Sequence, residues 1–153
     1  MTGVCSAGKV DMLHSIGADH VIDYTQEDFT RSGQLYDLIL DFAAYRSIFD
    51  YERALNPGGT YMFVGGSTAQ FFQAALLGPL ISKTHNKKLG SMGMAKPSQK
   101  DFVFLKELLE TGKVVPVIDR CYPLSELPEA LRYYGSGQTR GKVVITVDHI
   151  DKA

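Results

Sequence analysis

The chain has 153 residues, 44% of them hydrophobic and 22% charged, with a formal net charge of −1. Those values are typical of a soluble globular protein and leave room for one domain with a core, not for two comfortable ones. The near-neutral balance excludes an electrostatic reason for nucleic acid or an acidic membrane as partner, and no run of ~18 apolar residues predicts a membrane span.

Cys5 and Cys121 are far apart, and His14, His20, His85 and His149 are scattered. No CxxC or comparable ligand spacing exists, so neither a disulfide framework nor a metal site is expected, and a reducing, cytoplasmic setting is the default.

Taken in order, the chain alternates strand with helix. Thr2–Cys5 is a short apolar run. Lys9 to Ile16 follows as a helix with Val10, Leu13 and Ile16 near one face, stopped by Gly17. His20 to Tyr24 is the next strand, Phe29 to Gln34 a weak helix or turn, and Tyr36 to Phe42 a strong strand. Ser47 caps a predicted helix carrying Ile48, Tyr51 and Leu55, which Asn56-Pro57-Gly58-Gly59 ends in a turn. Thr60 to Val64 is a strand running into Gly65-Gly66.

In the last third, Phe71 to Ile81 is apolar but contains Gly78-Pro79, which predicts a broken helix or a loop. Lys88 to Met94 is a candidate strand at the sheet edge. Ser98-Gln99-Lys100-Asp101 resembles a capping box and opens a helix with Phe102, Leu105, Leu108 and Leu109 on one face and Gly112 past its end. Val114 to Asp119 and Lys142 to Val147 are predicted strands. Cys121-Tyr122-Pro123 reads as loop, and Ser125 as the cap of a helix reaching Tyr134 with Pro128 in its first turn.

These strands are short and continuously apolar, as strands covered on both faces are, and helical segments separate them. The predicted class is α/β, a Rossmann-like doubly wound parallel sheet, forming one domain over 1–153.

The block Gly17-Ala18-Asp19-His20-Val21-Ile22-Asp23-Tyr24 resembles the medium-chain dehydrogenase/reductase superfamily, in its zinc-free, quinone-oxidoreductase-like branch. Tyr36-Asp37-Leu38-Ile39-Leu40-Asp41, Leu55-Asn56-Pro57-Gly58-Gly59, Val64-Gly65-Gly66 and Gly141-Lys142-Val143-Val144-Ile145 resemble, in order, later blocks of the same nucleotide-binding domain. The resemblance implies that Thr2–Cys5 is the second strand of the fold. It further implies that a catalytic domain, the first strand and the glycine-rich pyrophosphate turn precede it in the family, while 120–153 is the tail that returns toward the catalytic domain. On that reading the chain is a truncated cofactor-binding portion, inactive alone, and three outcomes are open: the strand at 36–42 closes directly onto that at 2–5, which is the favoured one, another chain supplies a strand, or the segment 1–35 is loosely held. The resemblance also implies a homodimer through the sheet edge at Lys88 to Met94.

Ligands of such sheets bind beyond the carboxyl ends of the strands. The candidate cofactor residues are therefore Ser6, Lys9, Tyr24, Ala43, Ala44, Val64 and Gly65. NAD-selective folds place an acid after the second strand, for the ribose hydroxyls. Cys5-Ser6 stands there instead; Ser6 can donate to a 2′-phosphate and Lys9 adds positive charge, so NADP(H) is the expected cofactor. Ser6 has a second reading as a helix cap, Lys9 as a solvated lysine and Tyr24 as a packing residue. Asp41, at a strand end, reads as structural rather than catalytic, and no nucleophile–base pair is visible.

By resemblance, the function is oxidoreductase chemistry: hydride transfer between nicotinamide and a small carbonyl or quinone substrate. Two alternatives stand beside it. Tyr36 to Asp41 with Leu55 to Gly65 also resembles an S-adenosylmethionine methyltransferase core, and the chain could be a non-catalytic dimerisation module.

Overall fold

The computed structural model describes residues 1–147 except Ser67, Met92, Met94 and Ala95; the side chains of Gln70, Phe71 and Thr84 are also outside the description. The chain divides into two compact units, one made of Met1–Asp23 with Ser98–Ala153 and the other of Tyr24–Pro97. No described helix is long and apolar enough to cross a membrane.

In the first unit, β1 (Thr2–Cys5) pairs in parallel with β2 (His20–Asp23), joined by a 3₁₀ turn at Ala7–Lys9 and α1 (Val10–Ser15). Gly17 takes a φ of 101°, a left-handed turn that a β-carbon would strain, and so ends the helix as the sequence predicts. The same unit holds α4 (Gln99–Glu110), β6 (Ile118–Pro123), α5 (Leu127–Gly135) and β7 (Lys142–Thr146). β6 and β7 are again parallel.

The second unit is a three-stranded parallel sheet of β3 (Tyr36–Asp41), β4 (Leu55–Phe63) and β5 (Lys88–Ser91), in the order β3-β4-β5. Two helices connect them, α2 (Ile48–Arg53) and α3 (Thr68–His85). Its core is aromatic. Tyr51 and Tyr61 stack with ring centroids 4.2 Å apart, over Ile48, Ala54 and Leu55, which are all at most 2% exposed. Stacked rings add stability beyond the area they bury.

Every pairing is parallel, as the continuously apolar strands predict. The pairs β2-β1 and β3-β4-β5 reproduce the 3-2 and 4-5-6 stretches of the doubly wound order. β1 and β3 lie in different sheets, so the direct closure expected between 2–5 and 36–42 does not form.

Several boundaries differ from the sequence reading, each for a local reason. Leu55 is not the last residue of α2 but the first of β4. The Asn56-Pro57-Gly58-Gly59 stretch is a bulge in that strand: Tyr36 pairs with Leu55 and Leu38 with Thr60, so five steps along β4 face two along β3. Gly59 is required there, since a β-carbon would stand 2.9 Å from the Asn56 carbonyl oxygen and 3.0 Å from that of Tyr36.

The strand expected at 114–119 is displaced to Ile118–Pro123, so Cys121-Tyr122-Pro123 is strand and not loop. Asp119 and Arg120 interrupt the apolar run that begins at Val114, so a continuous apolar pattern ends where the strand in fact begins. Ser125 does not cap α5; it lies inside a 3₁₀ turn, Leu124–Glu126, and Glu126 is the residue preceding the helix. Ser98 does cap α4, accepting the Asp101 N–H at 3.2 Å. The apolar face of that helix is largely open, with Phe102 and Leu105 more than half exposed. β5 ends at Ser91, and Met92 and Met94 of the expected edge strand lie outside the described residues.

The largest difference is α3, which runs unbroken through Gly78-Pro79. Ala74, Gly78 and Ile81 form its buried stripe. Ala75 and Pro79 lie on the exposed side, where water can take the carbonyl that proline cannot serve. Gly78 is there for space. A β-carbon on it would stand 2.6 Å from the carbonyl oxygen of Leu89 in β5.

Helix propensity alone says that Gly78→Ala stabilises α3 by ~1 kcal/mol. The contact with Leu89 reverses the sign. Overpacking of this kind costs ~1–3 kcal/mol, so urea denaturation of Gly78→Ala should give a lower midpoint than the parent chain. A raised midpoint would show that helix and sheet can part without cost.

Candidate functional site

The first unit contains a cleft of about 550 Å³ lined by Ser6, Gly8 and Lys9 from the β1–α1 turn and by Asp119, Arg120, Tyr133, Gly137, Gln138 and Arg140 from the segment around β6 and β7. Two of the residues singled out from sequence, Ser6 and Lys9, are thus together in it. Ser6 is the residue before the 3₁₀ turn, and its hydroxyl makes no capping hydrogen bond. The bond at that turn is backbone only, from the Lys9 N–H to the Ser6 carbonyl oxygen at 2.9 Å. Its side chain is therefore not committed to capping.

The opposite wall is built by a bulge. Ile118 pairs with Lys142 and Arg120 with Val143, so two steps along β6 face one along β7 and Asp119 is the extra residue. Bulges re-aim side chains. Here the Asp119 carboxylate accepts the Tyr133 hydroxyl at 2.7 Å and the Arg140 backbone N–H at 2.9 Å. The Arg140 N–H, the Tyr133 hydroxyl and nearby arginines hold that carboxyl below its ordinary pKa, so it stays an acceptor. Arg120 then lies over the Tyr133 ring, 3.9 Å from its centroid.

Arg140 reaches the other wall: a β-carbon on Gly8 would stand 3.6 Å from its Nη2. Gly141 beside it must be glycine, because a β-carbon there would collide with the Val117 carbonyl oxygen. The lining carries three cations against one carboxylate. None of Lys9, Arg120 and Arg140 forms an ion pair among the described residues.

The remaining predicted residues belong to the second unit. Ala43 and Ala44 follow β3, and Val64 and Gly65 follow β4. The two loops are zipped together, with the Val64 N–H donating to Asp41 O at 2.8 Å and the Ala44 N–H to Gly65 O at 3.0 Å. Ala44 also bridges Gly66, where any β-carbon would stand 2.8 Å from the Ala44 carbonyl oxygen. Ala44 is buried, whereas Val64 is 45% exposed. Tyr24 is equally exposed and leans on Tyr45, with ring centroids 6.3 Å apart.

Asp41 organises these loops. One carboxylate oxygen accepts the Ala43 N–H at 3.1 Å and the other the Tyr61 hydroxyl at 3.4 Å. Tyr51 also bonds to Asp41, and its oxygen accepts backbone N–H groups of Tyr45 and Arg46. This agrees with a structural reading of Asp41. Burial, with Asp41 beside them, pushes both tyrosine hydroxyls above their ordinary pKa.

Sequence reasoning missed Asp119, Arg120, Tyr133 and Arg140. The displaced β6 boundary hid the first two. Arg140 was legible as a cation immediately before Gly141-Lys142, but nothing along the chain placed it near Ser6.

The sequence pattern of zinc-binding dehydrogenases matches residues 16–145. The mitochondrial NAD(P)H oxidoreductase RTN4IP1 of Drosophila melanogaster is 30% identical over 161 residues, covering 92% of this chain and 38% of its own length. The 2-methylene-furan-3-one reductase of Solanum lycopersicum is 30% identical over 148 residues, covering 92% of this chain and 31% of its own. Among solved structures, the quinone oxidoreductase of Coxiella burnetii superimposes with a TM-score of 0.78 at 21% identity, over 96% of this chain and 44% of that one. The chain thus spans less than half the length of these proteins.

The buried tyrosine pair generates a pH dependence. Their folded pKa values are raised, so the stability they contribute is complete below the ordinary tyrosine pKa and is lost as pH rises beyond it. Thermal melts of the parent chain from pH 8 upward should fall in the alkaline range. Tyr61→Phe should flatten that fall. An unchanged alkaline slope in Tyr61→Phe would assign the loss to other groups.

Proposed function

The chain belongs to the zinc-binding dehydrogenase family within the medium-chain dehydrogenase/reductase superfamily, and we propose that it is the NADP(H)-binding portion of an oxidoreductase acting on a small carbonyl or quinone. Family membership decides against the methyltransferase-like reading. The preference for NADP(H) rests on one observation. The Ser6 hydroxyl and the Lys9 ammonium line a cleft with two further cations, and its single carboxylate is already bonded to Tyr133 and Arg140.

The donor set fits the group. A ribose 2′-phosphate is a compact dianion that takes hydroxyl, ammonium and guanidinium donors, while an unbonded acid in the same place would repel it. Ser6 and Lys9 hold that phosphate. When bound, the nicotinamide supplies or accepts hydride. The role of this chain is to bind and orient; within the second unit, Asp41, Tyr51 and Tyr61 fix the loops at Ala43-Ala44 and Val64-Gly65.

The substrate class follows from the relatives. One is named for the reduction of a ring ketone conjugated to a methylene group, and another as a quinone oxidoreductase. Both are electron-poor π systems conjugated to oxygen, the natural acceptors of hydride from NADPH. We further propose that this chain contributes no zinc site; among the described residues, no three His, Cys, Asp or Glu side chains gather to hold an ion.

Two measurements test the reading. Calorimetric titration should show tighter binding of NADPH than of NADH, and Ser6→Asp should reverse the order. Tighter NADH binding by the parent chain would overturn the preference. Elemental analysis of the dialysed protein should give zinc well below one equivalent per chain; stoichiometric zinc would place a ligand set in this chain after all.

A further inference from the structure

We infer that Arg120 and Arg140 are specificity-determining residues for the 2′-phosphate of NADP(H), and that Asp119 and Tyr133 are the positioning pair that aims them. The inference rests on the NADP(H) reading above and adds a second wall to its phosphate site. That wall comes from the far end of the chain.

The argument starts from the bulge. A regular β6–β7 ladder would pair Asp119 like its neighbours. The extra residue instead lets its carboxylate take the Tyr133 hydroxyl at 2.7 Å and the Arg140 backbone N–H at 2.9 Å at once. One acid thereby fixes an α5 side chain and the backbone of the loop entering β7. With the Tyr133 ring held, the Arg120 guanidinium has a flat face to lie on, 3.9 Å from the ring centroid. With the Arg140 backbone held, its side chain reaches the turn that carries Ser6, beside Gly8.

One oxygen of Asp119, Oδ2, accepts both the hydroxyl and the amide, and neither bond comes from a guanidinium. Arg120 donates through Nη1 to the Tyr122 hydroxyl at 3.5 Å, which leaves its other N–H groups and those of the Arg140 guanidinium for an anion, and neither arginine has an acidic partner among the described residues. Two guanidinium forks and an ammonium around a serine hydroxyl match a phosphate monoester in charge and geometry. They match an unphosphorylated ribose poorly, because hydroxyls cannot neutralise three cations.

The experiment titrates the full chain with adenosine 2′,5′-bisphosphate and with adenosine 5′-monophosphate, which differ by the 2′-phosphate alone. The parent chain should prefer the bisphosphate. Arg140→Ala and Arg120→Ala should each weaken bisphosphate binding about tenfold and leave the monophosphate unchanged. Arg140→Lys should restore part of the loss, since it keeps the charge without the fork. Bisphosphate affinity should fall with added salt in the parent chain, and less steeply in either alanine variant. Tyr133→Phe removes the hydroxyl that ties Asp119. It should lower bisphosphate affinity severalfold with an unchanged monophosphate, a selectivity that mere loss of folding would not give.

If the parent chain shows no preference for the bisphosphate, the NADP(H) reading falls and this inference with it. If the parent prefers it, and Ser6→Ala and Lys9→Ala lose the preference while both arginine variants keep it, the reading stands and the second wall is refuted.

Discussion

A parallel strand pair cannot be closed by a tight turn, so each strand must return through a helix or long connection before the next can pair. All four pairings here are of this kind. The constraint explains why helices or turns separate the strands, and why the residues leaving β3 and β4 emerge side by side as a joined pair of loops. It also explains the use of glycine at close approaches. Where α3 crosses onto β5, and where β7 enters beside Val117, the backbones meet so closely that Gly78 and Gly141 leave no room for a side chain.

The two units solve a similar problem with the same parts. In each, an aspartate in a strand accepts a tyrosine hydroxyl from the helix that follows and a backbone N–H from a nearby loop. Asp41 does this with Tyr51 and Ala43, and Asp119 with Tyr133 and Arg140. The surroundings separate the outcomes. Tyr51 and Tyr61 are buried, so the Asp41 cluster is a fastening inside a core. Asp119 opens onto a cleft, so its fastening leaves two guanidinium groups facing solvent.

Much of this was legible in the sequence, for identifiable reasons. Apolar runs without alternation announced parallel strands. Gly17, Ser47 and Ser98 marked helix ends because their local chemistry decides those ends without help from the rest of the chain. Ser6 and Lys9 read together because one short turn carries both, and that turn brings both to the cleft. What was not legible depended on distant backbone. Gly78-Pro79 reads as a helix breaker until Leu89 is known to lie against it. The cleft joins the carboxyl end of β1 to the amino ends of β6 and β7, and a rule that looks only beyond carboxyl ends finds Ser6 but passes over Arg120 and Arg140. The bulge at Asp119 leaves no signature along the chain, because its cause is the register with β7.

The stacking of Arg120 on Tyr133 has an optical consequence. The chain contains eight tyrosines and no tryptophan, so its near-ultraviolet signal is dominated by tyrosine. Tyr51 and Tyr61, stacked within a core, report on whether that core is intact. Tyr133 is different: its hydroxyl is bonded to a carboxylate and a cation lies on its face, in the wall of an open cleft. An anion that draws the guanidinium away changes the field across that ring while leaving the buried pair untouched. The molecule thus carries one chromophore for its integrity and another for the occupancy of its cleft, and difference absorbance can tell them apart without a label.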